Sequence, residues 1–312
     1  MRIQRICIIG GSGFVGRHLV HTLADRDAQL KLLTRRRESA KDFFVLPNVD
    51  VCEAHAQETE LEAHFSGMDA VINLAGILHE QKPGDFDAVH VALARKIAAA
   101  CKNAQVSRLL HMSALHAHPG APSAYLRSKG LGELEVLAAH SSSLQVTIFR
   151  PSVIFGPEDH FLNLFAKLLK ILPVIPLGSP RAKFQPIYVE DVVAAFAASL
   201  TDSRTFGQRL DLCGPKVYTL EELVRFVGDT LGLHCYIVPL NEALSRMQAT
   251  IFEHLPGKLI TRDNVLSMQI ENICSSPFPL GLVPHALEFV VPQYLTRERN
   301  KVLNNFRSAA RR

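Results

Sequence analysis

The stretch IIGGSGFVGRHLV, residues 8–20, constrains the fold of this chain more than any other segment. Its first residues belong to the apolar run RICIIG. Four glycines follow at positions 10, 11, 13 and 16, and an amphipathic pattern begins at Phe14. Glycine suits such a turn because it adopts backbone angles that other residues avoid and lets a ligand or helix approach closely. The pattern predicts a strand, a tight turn and a helix whose free N–H groups bind a pyrophosphate. The predicted dinucleotide-binding residues here are Gly10, Gly11, Ser12, Gly13, Phe14, Val15 and Gly16.

Short apolar runs alternate with helical patterns through the first half of the chain. The runs include LKLLT, DAVINLAG, RLLHMSA and LQVTIFRPS, and helices are predicted from Phe14, near Ser39, near Glu60, from Asp85 to Cys101 and from Pro122. Continuous apolar strands separated by helices are typical of a parallel sheet that is covered on both faces. We therefore predict an α/β fold with a doubly wound parallel sheet, of the Rossmann type, over residues 1–156.

The alternation of apolar runs and helical patterns ends after residue 156, and prolines at 173, 176, 180 and 186 divide the following chain into short segments. Residues 184–214 are predicted to return to the sheet domain, and residues 157–183 and 215–312 to form a smaller, irregular C-terminal region for substrate or partner. Within that region TLEELVRFVGDTLG predicts a helix that begins with a capping box of Thr219 and Glu222.

The end of the second predicted strand bears on the choice of nucleotide. An Asp or Glu at this position binds the ribose 2′-hydroxyl of NAD, but here the strand runs into Thr34, Arg35, Arg36 and Arg37. Guanidinium groups offer forked, charge-assisted hydrogen bonds to a 2′-phosphate. The sequence therefore favours NADP(H) over NAD(H). The alternative is a basic, solvated corner without a ligand.

Composition excludes several classes of protein. A net charge of +4 from 34 basic and 30 acidic residues is too weak a bias for a nucleic-acid binder. No signal-peptide pattern and no apolar stretch of the roughly 20 residues that a spanning helix needs is present. We expect a cytoplasmic protein. Its basic C-terminus, TRERNKVLNNFRSAARR, is either a solvated terminal helix or an arm that contacts a partner or the inner face of a membrane. The cysteines, expected to be reduced thiols, are Cys7, Cys52, Cys101, Cys213, Cys235 and Cys274.

A set of motifs follows the glycine turn in a fixed order: VINLAG, HMSAL, YLRSK, FRPSVIFGP and PIYVEDVVAAF. This order resembles that of the extended or atypical short-chain dehydrogenases/reductases, which include the NAD-dependent epimerases and dehydratases. The whole chain, with LITRDNVLSMQIENI near its end, most resembles the branch that contains the reductase-like accessory subunit of respiratory complex I and its bacterial relatives.

The resemblance implies roles for three residues. Tyr125 would transfer the substrate proton, Lys129 would lower the pKa of Tyr125 and hold the nicotinamide ribose, and Ser113 would bind the reacting oxygen. Spacing alone leaves open that Tyr125 and Lys129 lie on one turn of an ordinary solvated helix. The further cofactor contacts predicted are Asn73, Ala75, Gly76, Pro151 and Ser152, the last two having a purely structural turn as the alternative.

Three departures from the family pattern count against rapid turnover. Ser113 precedes Tyr125 by only twelve residues, His90 stands where active relatives often carry an asparagine for a proton-relay water, and Ala54 replaces an aspartate expected near adenine. Two hypotheses follow: an NADPH-dependent oxidoreductase, epimerase or dehydratase with an unknown small-molecule substrate, or an accessory protein that holds the nucleotide without rapid chemistry. No metal site is expected, although His111, His116 and His118 lie close together in sequence.

Overall fold

The computed structural model describes residues 3–57, 59–253 and 261–296. In chain order, its strands are β1 (Arg5–Ile9), β2 (Gln29–Thr34), β3 (Val49–Glu53), β4 (Ala70–Asn73), β5 (Arg108–Met112), β6 (Gln145–Pro151), β7 (Ile154–Phe155), β8 (Val174–Leu177), β9 (Lys183–Phe184), β10 (Ile187–Tyr188), β11 (Gln208–Leu212), β12 (Tyr218–Thr219) and β13 (Tyr236–Pro239). The α-helices include α1 (Phe14–Ala24), α2 (Leu61–Phe65), α3 (Leu93–Asn103), α4 (Ala124–Leu137), α5 (Leu162–Ile171), α6 (Val189–Ser199), α7 (Leu220–Leu231), α8 (Glu242–Glu253) and α9 (Arg262–Ser267).

The chain divides into two compact units. Among the described residues, the first unit contains 3–151, 190–212 and 276–282, and the second contains 152–189, 213–275 and 283–296.

A seven-stranded sheet forms the centre of the first unit. Its strand order is β11-β6-β5-β4-β1-β2-β3, and every neighbouring pair is parallel. The order reverses between β1 and β4, which makes the carboxyl ends of these two strands the point where an open α/β sheet binds its ligand. The predicted doubly wound parallel sheet is confirmed.

Helices bury both faces of this sheet. Four consecutive residues of β1, Ile6 to Ile9, are each at most 4% exposed, so side chains on both faces are covered. On one face Cys7 and Ile9 pack with residues of α2 and α3, and on the other Phe149 stacks on Phe196 of α6 with ring centroids 3.8 Å apart. Continuous apolar strands therefore form the core that the sequence predicted.

The second unit has its own core, built from α5, α7 and three short two-stranded pairings. Thr219 Oγ1 accepts a hydrogen bond from the Glu222 N–H, and the Glu222 carboxylate accepts from the Thr219 N–H at 2.7 Å. The predicted capping box at the start of α7 is confirmed.

Some predicted elements take a different form. The helix expected near Ser39 is a 3-10 helix (Arg37–Phe43), and the helix from Asp85 begins as a π-helix (Asp87–Ala92) before α3. The basic segment 297–312 lies outside the described residues. None of the helices in the described ranges is both long and apolar enough to cross a bilayer.

The expectation of six reduced thiols is wrong for one pair. Cys213 and Cys274, both in the second unit, form a disulfide with Cα atoms 6.0 Å apart. Folding brings them together because the Asn272 N–H bonds to the Lys183 carbonyl, while the Gln185 side chain accepts from the Cys274 N–H and donates to the Gly214 carbonyl. The sequence spacing of 61 residues carries no sign of this pairing. Cys7, Cys52, Cys101 and Cys235 are free thiols.

Candidate functional site

The glycine turn joins β1 to α1 in a shape that only glycine permits at two positions. Gly10 has a φ of +81°, and a Cβ on Gly16 would lie 2.5 Å from the Gly10 carbonyl oxygen. Gly13 precedes α1, and no side chain of the described residues caps the N–H groups of its first turn. A turn whose one side chain is the short Ser12, before a helix N-terminus without a side-chain cap, fits the pyrophosphate of a dinucleotide.

The loop after β4 packs directly on this turn. A Cβ on Gly10 would lie 2.9 Å from the Leu74 carbonyl carbon and 3.0 Å from the Ala75 nitrogen. The Asn73 side chain shapes the loop, because its Oδ1 accepts from the Ala75 N–H at 3.0 Å and its Nδ2 lies 3.0 Å from His111 Nδ1. Gly76 follows and is exposed. Asn73 and Ala75 thus lie beside the glycine turn, and the Asn73 amide is bonded to protein on both sides.

The corner after β2 presents its basic side chains to solvent. Thr34 is buried, and its hydroxyl lies 3.3 Å from Ser12 Oγ and 3.1 Å from Ser39 Oγ, which ties the corner to the glycine turn. Arg35 and Arg36 are exposed, and within the described ranges their guanidinium groups have no hydrogen-bond or ion-pair partner. Arg37 differs, since its guanidinium lies 5.2 Å from the Phe44 ring centroid.

Two features of this corner escaped the sequence analysis. Glu53, at the end of β3 and in register with Thr34, accepts a hydrogen bond from the Arg37 N–H at 3.0 Å. Arg17 forms an ion pair with Asp42 and donates to the Ser39 carbonyl at 2.8 Å. Glu53 is thereby bonded to the backbone of Arg37, and Asp42 is paired with Arg17. These contacts join residues that are 16 and 25 positions apart, and such pairing has no local sequence signal.

Ser113 follows β5 directly, at the carboxyl edge of the sheet. Its N–H donates to the Phe149 carbonyl at 2.7 Å, which fixes the backbone against β6. Its hydroxyl is buried and has no hydrogen-bond partner among the described residues. Because a buried hydroxyl without a partner costs free energy, its retention suits a ligand that supplies one.

Tyr125 and Lys129 lie in the first half of α4, which Ser123 caps by accepting from the Leu126 N–H. Lys129 is only 5% exposed, and its Nζ donates to the Met112 carbonyl at 3.2 Å, next to Ser113. Tyr125 is half-buried, with its ring 5.9 Å from that of Phe86. Lys129 is therefore not on the solvent-exposed face of an ordinary surface helix.

Burial sets the charge states of this pair. Desolvation lowers the pKa of Lys129 to about 8, although the Glu133 carboxylate acts in the opposite direction. Desolvation raises the pKa of Tyr125 to about 12. At neutral pH the phenol therefore carries its proton, and the ammonium is charged but within reach of deprotonation.

The buried His90 side chain links the loop after β4 to α4 through two hydrogen bonds. Its Nε2 accepts from the Ile77 N–H at 3.1 Å, so Nδ1 carries the proton and donates to Ser128 Oγ at 2.8 Å. The Ser128 hydroxyl in turn donates to the Tyr125 carbonyl at 2.8 Å. Burial, then Lys129, then His111 lower the pKa of His90 to about 2. Both ring nitrogens are bonded to protein, so the imidazole cannot bind a relay water in this arrangement.

Pro151 and Ser152 fall in different units. The Pro151 carbonyl ends β6 and accepts from the Leu115 N–H at 2.9 Å in the first unit. The Ser152 hydroxyl donates to Asn272 Oδ1 within the second unit. Each residue thus has a structural contact of its own.

His118 and Ala54, also singled out from the sequence, have structural roles. His118 Nδ1 accepts from the Gly120 N–H at 3.0 Å, and Ala54 is buried beside β2. No group of three His, Cys, Asp or Glu side chains in the described part of the chain is placed to hold a metal ion.

The sheet order and the glycine turn define a dinucleotide-binding α/β protein. Residues 6–212 match the model of the NAD dependent epimerase/dehydratase family, and the chain belongs to that family, whose cofactor is a nicotinamide dinucleotide.

Two curated proteins are similar to the chain in sequence, and one solved structure is similar in fold. The chain is 31% identical over 309 residues to the mouse (Mus musculus) mitochondrial protein NADH dehydrogenase [ubiquinone] 1 alpha subcomplex subunit 9, a match that covers 94% of this chain and 80% of that protein. It is 33% identical over 239 residues to a ceramide reductase of Caulobacter vibrioides, with 73% and 70% covered. A UDP-N-acetylglucosamine 4-epimerase from Methanobrevibacter ruminantium shares its fold, with a TM-score of 0.69, 19% identity and 95% and 96% covered. The resemblance to the complex I subunit and its relatives is confirmed.

Proposed function

We propose that this protein binds NADP(H) and uses Ser113, Tyr125 and Lys129 to reduce a carbonyl, or to oxidise a hydroxyl, of a small-molecule substrate. The observation that carries the proposal is the buried Ser113 hydroxyl, which has no hydrogen-bond partner in the described part of the chain. Ser113 directly follows Met112, whose carbonyl accepts from Lys129 Nζ. A hydroxyl donor, a phenol and a buried ammonium at the carboxyl edge of a parallel sheet are the groups that proton transfer to a carbonyl oxygen needs.

The nicotinamide cofactor, when bound, supplies or accepts the hydride. The glycine turn and α1 hold its pyrophosphate, Arg35 and Arg36 bind the 2′-phosphate, and Gly76 leaves room beside Lys129 Nζ for the ribose, because a Cβ there would lie 3.1 Å from that nitrogen. Ser113 Oγ donates a hydrogen bond to the substrate oxygen. Tyr125 then gives its phenolic proton to that oxygen, and the Lys129 ammonium stabilises the phenolate that forms.

Tyr125→Phe tests this proposal most directly, because it removes the transferable proton and keeps the ring that contacts Phe86 and His90. We expect a single-turnover oxidation of bound NADPH by a panel of quinones and long-chain ketones to slow by about 10²–10⁴-fold, with NADPH affinity unchanged. Absorbance at the nicotinamide band is the measurement. Tyr236→Phe, an exposed tyrosine in the second unit, is the matched control. Equal rates in wild type and Tyr125→Phe would refute the catalytic role.

A second function is supported by one geometric observation and by one relative. His90 has both ring nitrogens bonded to protein, and the mouse relative is by its name a subunit of NADH dehydrogenase. An accessory protein that holds NADPH as a stabilising ligand would fit both. It predicts that NADPH raises the unfolding temperature by mass action while no carbonyl compound oxidises the bound nucleotide. The enzyme predicts both stabilisation and oxidation.

We also propose that the protein is cytoplasmic and contacts an anionic membrane surface or a respiratory complex through residues 297–312. This segment carries five arginines, one lysine and one glutamate. Basic segments bind anionic lipid electrostatically, and salt weakens the attraction. Sedimentation with phosphatidylserine vesicles should retain the full chain at low salt and release a chain that ends at residue 296. Equal retention of both chains would contradict the proposal.

A further inference from the structure

A charged cluster lies on α4 one helical turn beyond Lys129. Glu133 is 1% exposed, and its carboxylate accepts from Arg150 Nε at 2.7 Å and from Arg209 Nε at 3.0 Å. Arg150 Nη2 donates to the second carboxylate oxygen, which completes a forked pair. Arg150 lies on β6 and Arg209 on β11, so two adjacent strands hold one helical carboxylate.

The same carboxylate is the acidic group that acts on Lys129. Residues 129 and 133 share a helix face, and the Glu133 charge favours the charged form of Lys129. The other titratable groups around the ammonium are Tyr125 on α4, His90 on the π-helix and His111 on β5. Burial keeps both imidazoles neutral, with pKa values of about 2 for His90 and about 3 for His111. Glu133 is thus the anionic counterpart of Lys129 among these groups.

The backbone leaves Glu133 little freedom to approach Lys129. Gly132 abuts the π-helix so closely that a Cβ on it would lie 2.0 Å from the His90 carbonyl oxygen. A Cβ on Gly130 would lie 2.5 Å from the His118 backbone. Since the backbone of α4 is packed closely at Gly130 and Gly132, the Glu133 carboxylate can move between the arginines and Lys129 only by rotation of its side chain.

We propose that Arg150 and Arg209 are positioning residues that hold the Glu133 carboxylate on the strand side and prevent it from closing an ion pair with Lys129. The ammonium, bonded to the Met112 carbonyl, then keeps hydrogen-bond donors for a ligand. This inference rests on the proposed function, in which Lys129 binds the nicotinamide ribose and stabilises the Tyr125 phenolate. The competition between the arginines and the lysine for Glu133 can be tested without any cofactor.

The test is a double-mutant cycle read by NMR titration of the Lys129 side-chain nitrogen, assigned by its loss in Lys129→Met. Arg150→Met should raise the titration midpoint of Lys129 by at least about half a pH unit, since an opposite charge nearby shifts a pKa by roughly 1–3 units. Glu133→Gln should lower it. In the Glu133→Gln background, Arg150→Met should change it little, because the carboxylate that Arg150 restrains is gone.

An equal rise in both backgrounds would overturn the proposal, because it would show only the loss of a like charge near Lys129. No rise in the wild-type background would also overturn it. Arg209→Met, whose side chain is 39% exposed, provides the same cycle if Arg150→Met does not fold by circular dichroism. NADPH affinity measured on the same variants separates the two claims. A confirmed cycle without any effect of Lys129→Met on NADPH affinity would support the restraint of Glu133 by the arginines and refute the proposed function of Lys129.

Discussion

Arg35 and Arg36 differ from Arg37 in what surrounds their guanidinium groups. The first two extend into solvent without a partner in the described residues, whereas Arg37 stacks over Phe44 and its backbone is bonded to Glu53. A 2′-phosphate can therefore recruit Arg35 and Arg36 without breaking an existing contact. The three consecutive arginines were visible in the sequence. Which of them have protein contacts depends on the register of β2 and β3, which the sequence does not show.

We expect Arg35→Ala and Arg36→Ala each to lower the NADPH-to-NADH affinity ratio by about 10–100-fold, the equivalent of one charge-assisted hydrogen bond of roughly 1.5–3 kcal/mol. Arg37→Ala should lower it less. The ratio is measured by competition for the fluorescence of bound NADPH, with Arg26→Ala, an exposed arginine at the other end of α1, as control. An unchanged ratio in Arg35→Ala and Arg36→Ala would support the solvated-corner alternative.

His90 and His111 are buried neutral residues, and this makes the fold sensitive to acid. Burial first, and Lys129 next, lower the pKa of His111 to about 3, and that of His90 is about 2. Between these values and the pKa near 6.5 of an unfolded histidine, the unfolded chain binds protons that the native protein does not. The contribution of these two histidines to the free energy of unfolding is then constant above about pH 6.5 and falls below it.

The expected loss is about 1.4 kcal/mol per pH unit for each histidine. Urea unfolding at pH 7 and pH 5 measures it. His111→Gln should be less stable than wild type at pH 7 but lose less stability between the two pH values, and His55→Gln, which alters an exposed histidine, should lose as much as wild type. The same pH dependence in His111→Gln and wild type would show that His111 is not buried as a neutral group.

Among the secondary-structure elements, those with strong local signals were predictable. The β1 strand, the glycine turn and α1 fall where the apolar run, the glycines and the amphipathic pattern place them. The segment from Asp85 was predicted to be a helix, but not one that begins as a π-helix. That distortion accompanies His90, whose contacts with Ile77 and Ser128 come from other segments. Tertiary contacts of this kind leave no periodicity in the sequence.

The disulfide joins the end of β11 to the segment beside β9. Cys213→Ser with Cys274→Ser should lower the free energy of unfolding by roughly 2–4 kcal/mol, because the link restricts the unfolded chain between residues 61 positions apart. Urea unfolding with and without reductant measures the difference. Cys235→Ser, which removes a free thiol of the same unit, should change little. Six reactive thiols in the unreduced, unfolded wild type would contradict the disulfide, which predicts four.

For the whole molecule, the sequence was informative about the first unit and poor for the second. Parallel strands such as β1 and β6, which bury apolar residues on both faces, produce a repeating signal that is readable without an alignment. The second unit contains strands of only two residues, such as β7, β9 and β12, which pair through contacts remote in sequence. The roles assigned to Ser113, Tyr125 and Lys129 and the division into domains at residues 156, 184 and 214 stay predictions.

Isothermal titration calorimetry of the folded, nucleotide-free protein with NADPH and with NADH tests the central claim most directly. Binding at the glycine turn, with Arg35 and Arg36 on the 2′-phosphate, predicts heat with both nucleotides and an affinity for NADPH at least about tenfold higher. Equal affinities would contradict the assignment of the arginines. The absence of heat with either nucleotide would contradict the account of the site as a whole.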